Sequence, residues 1–74
     1  MKNNYHLINL GLQIRELRKS KGLSQEQLAL MAEVDRSYIG GIERGERNVS
    51  FLTLVKIANC LECDIAKFTK GIPK

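Results

Sequence analysis

The chain has 74 residues, enough for one small domain that buries only about 60% of its unfolded surface, so docking of a second copy would add useful apolar burial. Its 12 lysines and arginines exceed its 8 aspartates and glutamates, and the formal net charge of +4 favours an anionic partner. No apolar run approaches the ~20 residues of a membrane span and no signal-peptide core is present, so we expect a cytoplasmic protein with no membrane partner.

The first predicted element is a helix over residues 7–21, where apolar residues recur at intervals of three and four. Arginines and lysines gather at its C-terminal end, which suits the helix dipole, and Gly22 supplies the stop. We treat residues 1–74 as a single domain, with residues 1–6 expected to be loose and residues 71–74 a tail.

Two helix starts follow, eleven residues apart, at Ser24 and Asp35. Each has an apolar residue before the cap and another four positions after it, and Gln27 completes a capping box on the first. We therefore predict helices over residues 24–32 and 35–44. Their spacing leaves room for about two turns and a bend, which is typical of a helix-turn-helix whose second helix lies in the DNA major groove.

The same cap pattern recurs at Ser50 and Asp64, predicting a fourth helix and a short fifth helix that ends near Gly71. No alternating strand pattern is present, so the predicted fold is all-α with five helices. The residues expected inward on the fourth helix are Phe51, Leu54, Ile57, Ala58 and Leu61.

The third helix has an unusual outward face. Val34, Ile39 and Ile42 are inward candidates, and the residues left to face out are Arg36, Ser37, Gly40, Gly41 and Arg44. An arginine can bond both acceptors of guanine, and Arg36 lies at the N-terminal end, where base contacts concentrate. Glycine in mid-helix costs about 1 kcal/mol relative to alanine. Gly40 and Gly41 either permit close approach of DNA, or their cost is tolerated because packing holds the helix.

Tyr38, at the edge of this face, could reach a base, a sugar or a phosphate, or could be a half-buried tyrosine without such a role. Four further residues are candidate DNA backbone contacts, which fix register without reading sequence: Gln25, Arg44, Arg47 and Asn48. A solvated loop is the alternative for the last two. Glu43 lies beside apolar residues and needs a partner, for which we expect Arg18 in a structural ion pair.

The run LGLQIRELRKSKGLSQEQLALMAEVDRSYIGGIERGERNVSFLTLVKIANCL resembles the lambda-repressor-like, or XRE, helix-turn-helix family. Within it, DRSYIGGIERGERN looks most like the controller proteins of restriction–modification systems. The resemblance implies a symmetric homodimer on paired, inverted half-sites of double-stranded DNA. It also implies base contacts from Arg36, Ser37 and Tyr38, and it matches Arg18 and Glu43 to the family's buried ion pair. Gly41 departs from it, because many relatives carry a base-reading side chain there.

We therefore expect a sequence-specific transcription regulator and not an enzyme. Its outward apolar candidates for a dimer interface are Leu52, Val55, Ile65 and Ile72. An autoregulatory restriction–modification controller, a phage or mobile-element repressor and an antitoxin-like interaction module all remain open. RNA polymerase is a candidate partner through Glu26 or Glu33, whereas the operator and the direction of regulation do not follow from the sequence.

Cys60 and Cys63 form a C-x-x-C pair, which can serve redox chemistry or metal binding. A thioredoxin-like site needs a βαβ context and a zinc site needs two more ligands, of which His6 could supply at most one. We favour packing, since free cysteine behaves as a small buried hydrophobe. No cofactor, metal or small-molecule ligand is expected.

Overall fold

Five helices make up most of residues 4–73, the part of the chain that this computed structural model describes. They are α1 (Tyr5–Ser20), α2 (Gln25–Ala32), α3 (Arg36–Glu43), α4 (Phe51–Cys60) and α5 (Ala66–Thr69). The predicted all-α fold is confirmed, and within residues 4–73 there is no strand. Across the same range, none of the helices combines the length and apolar character needed to cross a membrane.

The first helix begins earlier than the sequence predicted. Asn4 caps it: its side-chain oxygen accepts from the backbone N–H groups of His6 at 2.8 Å and Leu7 at 3.3 Å. The prediction that residues 1–6 are loose is therefore wrong for residues 4–6, because the asparagine cap satisfies N–H groups that have no partner within the helix. Residues 1–3 and 74 lie outside the described part.

One hydrophobic core joins the helices. Its buried members are Leu10, Ile14, Leu28, Ala29, Ala32, Ile39, Ile42, Leu54, Ile57, Ala58, Leu61 and Phe68. One inward expectation is wrong: Phe51 is 68% exposed. Phe51 continues the buried face of α4 by spacing, but it lies in the first turn, where no described element covers it.

Helix α2 is fixed at both of its ends. The capping box is present, with Gln27 N–H donating to Ser24 Oγ at 3.0 Å and Ser24 N–H donating to Gln27 Oε1 at 2.8 Å. At the other end of α2, Glu33 takes the left-handed conformation with φ 59°, and Val34 N–H donates to the Ala29 carbonyl. The chain thus reverses within three residues.

Two of the predicted side-chain caps are absent. Asp35 precedes α3, but its side chain makes no cap hydrogen bond, and its backbone carbonyl alone accepts from Tyr38 and Ile39. Asp64 does not cap α5 either, because that helix begins one residue later, after Ile65. The predicted cap at Ser50 is confirmed by the Thr53 N–H at 3.1 Å.

Two glycines let α1 lie close to α3. A Cβ added at Gly11 would overlap the Ile42 carbonyl oxygen and lie 2.7 Å from that of Glu43. At Gly45, just after α3, φ is +77° and an added Cβ would lie 2.6 Å from Ile8 Cα. The backbones therefore meet directly, and α1 sets the position of the C-terminal end of α3.

The left-handed residue in the turn gives a stability prediction. Because a non-glycine residue in this conformation is strained, Glu33→Gly should raise the free energy of unfolding by roughly 1 kcal/mol, or Tm by about 4–8 °C. Glu26→Gly is the matched control, because Glu26 has helical geometry and glycine there should lower stability. Thermal unfolding checks both, and the prediction is wrong if both variants lose stability.

Candidate nucleic-acid interface

A buried ion pair lies behind the helix-turn-helix. Arg18 donates to Glu43 through Nε at 2.6 Å and Nη2 at 3.0 Å, and Arg18 Nη1 donates to the Leu23 carbonyl at 2.7 Å. Arg18 is 7% exposed and Glu43 is 5% exposed. The pair expected from the sequence is present in the structure. Its two parallel bonds join α1 to the C-terminal end of α3.

Gln25 extends this network to α2. Its Nε2 donates to Glu43 Oε1 at 3.0 Å, so one carboxylate oxygen accepts from both Arg18 and Gln25. Gln25, a predicted backbone contact, is half-buried and is the first residue of α2. The network therefore fixes the N-terminal end of α2 against α3, the end at which unpaired N–H groups favour an anion.

The N-terminal end of α3 carries the predicted base-reading residues. Arg36 and Ser37 are exposed, whereas Tyr38 is half-buried. Arg36 follows Asp35 directly and is the first residue of the helix. This end lies beside a shallow depression lined by Glu33, Val34, Asp35, Ser37, Tyr38 and Arg47.

Tyr38 brings the loop after α3 against the helix. The Arg47 guanidinium carbon lies 5.1 Å from the centroid of the Tyr38 ring, a cation–π contact. The Tyr38 hydroxyl donates to the Asn48 carbonyl at 3.4 Å. One predicted base contact and two predicted backbone contacts therefore form a single cluster, which we call the Tyr38 cluster: Tyr38, Arg47 and Asn48.

Arg44 has a partner that the sequence did not reveal. Its Nε donates to Glu46 Oε1 at 2.9 Å, and both side chains remain largely exposed. Only the sequence R-G-E hints at the pair, because the tight turn at Gly45 returns the chain toward Arg44. A phosphate that binds Arg44 through Nε must displace this carboxylate.

The two glycines of α3 are not open to solvent, contrary to the expectation of an exposed face. Both are buried by side chains of the chain itself. A Cβ added at Gly40 would lie 3.1 Å from Arg44 Nη1 and 3.6 Å from Gln25 Oε1, whereas one at Gly41 would overlap Arg47 Cγ. Long polar side chains from neighbouring segments have folded over the space that the glycines leave.

The predicted dimer residues divide into two groups. Leu52 and Val55 on α4 are 72% and 39% exposed, as expected of outward residues. Ile65 and Ile72 are half-buried against the core, so they are less available than predicted. Phe51, which the sequence placed inward, joins the first group, and α4 therefore presents an apolar patch that we define as Phe51, Leu52 and Val55.

Both cysteines are free and half-buried against the core. Burial raises the pKa of the Cys60 thiol, and Glu33 raises it further. Burial also raises the pKa of the Cys63 thiol, more than the nearby lysines lower it. Both thiols are therefore neutral at pH 7 and weak nucleophiles. Within residues 4–73 no group of three or more His, Cys, Asp or Glu residues could hold a metal ion.

These features define a class. A capped helix, a three-residue reversal and a second short helix with an exposed arginine at its start make a helix-turn-helix domain. The profile of the helix-turn-helix family HTH_3 matches residues 14–68. The chain belongs to this family, and the resemblance predicted from the sequence is confirmed.

Among its relatives are control proteins. Control protein C.SmaI of Serratia marcescens is 44% identical over 54 residues, which are 73% of this chain and 64% of that protein, so the match spans just under two thirds of this relative. The restriction–modification controller protein C.AhdI of Aeromonas hydrophila has a structure with a TM-score of 0.82 and 48% identity, covering 84% of this chain and 94% of that one. The controller C.Esp1396I, solved as a tetramer with its natural 35 base-pair operator, has a TM-score of 0.80 and 36% identity, covering 90% and 88%.

The buried ion pair gives a second stability prediction. Glu43→Ala leaves the buried Arg18 guanidinium without its charge partner, so the free energy of unfolding should fall by about 3–5 kcal/mol. For so small a domain this is a large part of the total, and the variant should be mostly unfolded at 37 °C by circular dichroism.

Glu46→Ala is the control, since it breaks the exposed pair with Arg44. It should cost less than about 1 kcal/mol. Equal losses from the two variants in urea unfolding would contradict the structural role of Glu43.

Proposed function

We propose that this protein is a sequence-specific DNA-binding transcription regulator that acts as a homodimer on inverted half-sites. The observation that carries the proposal is the exposed N-terminal end of α3, where Arg36 and Ser37 protrude from the helix-turn-helix. In this arrangement α3 enters the major groove and its first residues reach base edges. A bidentate contact from Arg36 to guanine would contribute about 1–3 kcal/mol of discrimination.

The surroundings of α3 include polar groups suited to a phosphate backbone. Gln25, at the start of α2, contacts Glu43 at the end of α3, and Arg44, Arg47 and Asn48 follow α3 in the chain. These residues would grip phosphates and fix the register of Arg36 on the bases. The formal net charge of +4 supports the attraction to an anionic duplex.

A dimer follows from the apolar patch on α4 and from geometry. Phe51 and Leu52 expose large apolar side chains that a second copy would bury. The described domain measures 28 × 25 × 21 Å, so two copies in contact can hold their α3 helices about one helical turn, ~34 Å, apart. The tetrameric operator complex of C.Esp1396I supports such paired binding here.

Among regulators, we favour a controller of a restriction–modification system that also regulates its own gene. The support is the similarity to C.SmaI and C.AhdI at 44% and 48% identity. A phage or mobile-element repressor and an antitoxin-like module are the alternatives. In this role the protein is not an enzyme and works in the cytoplasm, where it is associated with the nucleoid when bound to DNA.

Selection from a pool of random 30-base-pair duplexes tests the function. We expect enrichment of an inverted repeat, and the same repeat in the DNA immediately upstream of the protein's own gene. Binding of the enriched duplex should weaken steeply with salt, because each neutralised phosphate contributes about −0.9 to the log–log slope. Equal affinity for the enriched duplex and a scrambled one would overturn sequence-specific binding. An enriched repeat that is absent upstream of the gene would overturn autoregulation alone.

Arg36 and Gln25 should separate base reading from backbone binding. Arg36→Ala should weaken binding of the enriched duplex by about 5–150-fold and reduce its preference over the scrambled duplex. Gln25→Ala should weaken both duplexes equally and leave the salt slope unchanged, because the lost group carries no net charge.

Lys67→Ala is the matched control, because it removes one positive charge from α5, which packs against α1. It should leave the preference between the duplexes intact, as measured by fluorescence anisotropy. An equal loss from Arg36→Ala on both duplexes would contradict base reading by Arg36.

A further inference from the structure

Arg47 crosses α3 at Gly41, where the missing side chain leaves room for it. A Cβ added at Gly41 would overlap Arg47 Cγ and lie 3.4 Å from Cδ and 3.5 Å from Cβ, so the whole aliphatic stem lies on the glycine. The three nearest atoms to such a Cβ all belong to this one side chain. The space at Gly41 is therefore filled by Arg47, which is itself exposed.

The position of the stem determines where the guanidinium lies. After crossing Gly41, Arg47 ends 5.1 Å from the Tyr38 ring centroid, and Tyr38 also donates to the Asn48 carbonyl. The backbone supports the same approach, because Glu46 N–H donates to the Gly41 carbonyl at 2.9 Å. The loop therefore contacts Gly41 in two ways: Glu46 bonds to its carbonyl, and the Arg47 stem occupies the space where a side chain would be.

Gly40 provides an internal comparison. A Cβ there would meet only the ends of two flexible side chains, Arg44 Nη1 at 3.1 Å and Gln25 Oε1 at 3.6 Å, which can move aside by a few tenths of an ångström. At Gly41 the overlap is with the stem near its attachment, so the Arg47 side chain must shift from its root and not only at its tip. The two adjacent glycines are therefore not equivalent.

We propose that Gly41 is a positioning residue for DNA readout: its lack of a Cβ seats Arg47 across α3 and onto Tyr38, so that the loop arginine and the helix tyrosine meet the duplex as one preformed unit. This inference rests on the proposed function. It replaces direct approach of DNA to Gly41, because the groove side of this glycine is already covered. Preforming the unit avoids the cost of ordering a long side chain upon binding.

A double-mutant cycle on DNA tests the coupling. Gly41→Ala should reduce preference for the enriched duplex over the scrambled one by about tenfold. Arg47→Ala should do the same, because either change removes the contact that holds the base-reading Tyr38 in place. In the Arg47→Ala background, Gly41→Ala should change the preference less than twofold, because the displaced side chain is already gone. Gly40→Ala is the control and should change it less than threefold.

Each of the following results would overturn the proposal. If Gly41→Ala costs the same factor with and without Arg47, the glycine acts on the duplex directly. If Gly41→Ala leaves the preference unchanged in the presence of Arg47, the packing of Arg47 on Gly41 has no role in readout. The thermal unfolding midpoint should stay level or rise in Gly41→Ala, because alanine favours the helix. A fall of more than about 5 °C would mean that the glycine is needed for folding and would also contradict the proposal.

Proton NMR of the free protein separates this proposal from the function on which it rests. The Arg47 side-chain protons should be shifted upfield by the Tyr38 ring in the wild type and in Gly40→Ala, and should lose the shift in Gly41→Ala. If the Arg47 proton resonances are not shifted in the wild type, Arg47 does not lie on Tyr38 in solution and the proposal is overturned. A shifted Arg47 in a protein that prefers no duplex would instead reject the proposed function while leaving the packing intact.

Discussion

The shared carboxylate of Glu43 is the constraint on which the arrangement of the first three helices depends. It accepts from Arg18 on α1 and from Gln25 on α2, and it lies at the last residue of α3 itself. A charge at this depth is tolerated only because its partners are complete. Within residues 4–73 no buried polar side-chain atom lacks a hydrogen-bond partner. This polar network holds α3 in place against α1 and α2 without the burial of much additional apolar surface. Such a device suits a chain too short for a large core.

Local signals made much of the fold predictable. Ser24 with Gln27 and Ser50 act through bonds within three residues, so the chain segment alone specifies α2 and α4. The periodic apolar residues identified the core in the same way, since a helix face is set by spacing. The Arg18–Glu43 pair is a long-range contact, and it was predictable because a carboxylate among isoleucines needs a cation.

The failures concern contacts that distant or flexible groups decide. Gly41 is buried by Arg47, six positions later, and nothing in the helix pattern indicates where an arginine stem from a loop will lie. Phe51 fits a buried face by spacing, yet burial also needs a neighbouring element to cover it. Asp35 has the right residue type for a cap but its side chain is not engaged. The DNA contacts themselves depend on a partner of unknown sequence, so they remain predictions.

The pairing of Arg44 with Glu46 has a consequence for how the protein would search a genome. Because Glu46 offsets part of the charge of Arg44, this arginine attracts an approaching duplex less than an unpaired arginine would. Random encounters, which depend on phosphate charge alone, gain least from such a residue. The Glu46 carboxylate would compete with DNA phosphates for Arg44, and it would be displaced only where the protein and the duplex fit closely. Residence on irrelevant sequence would thereby be shortened.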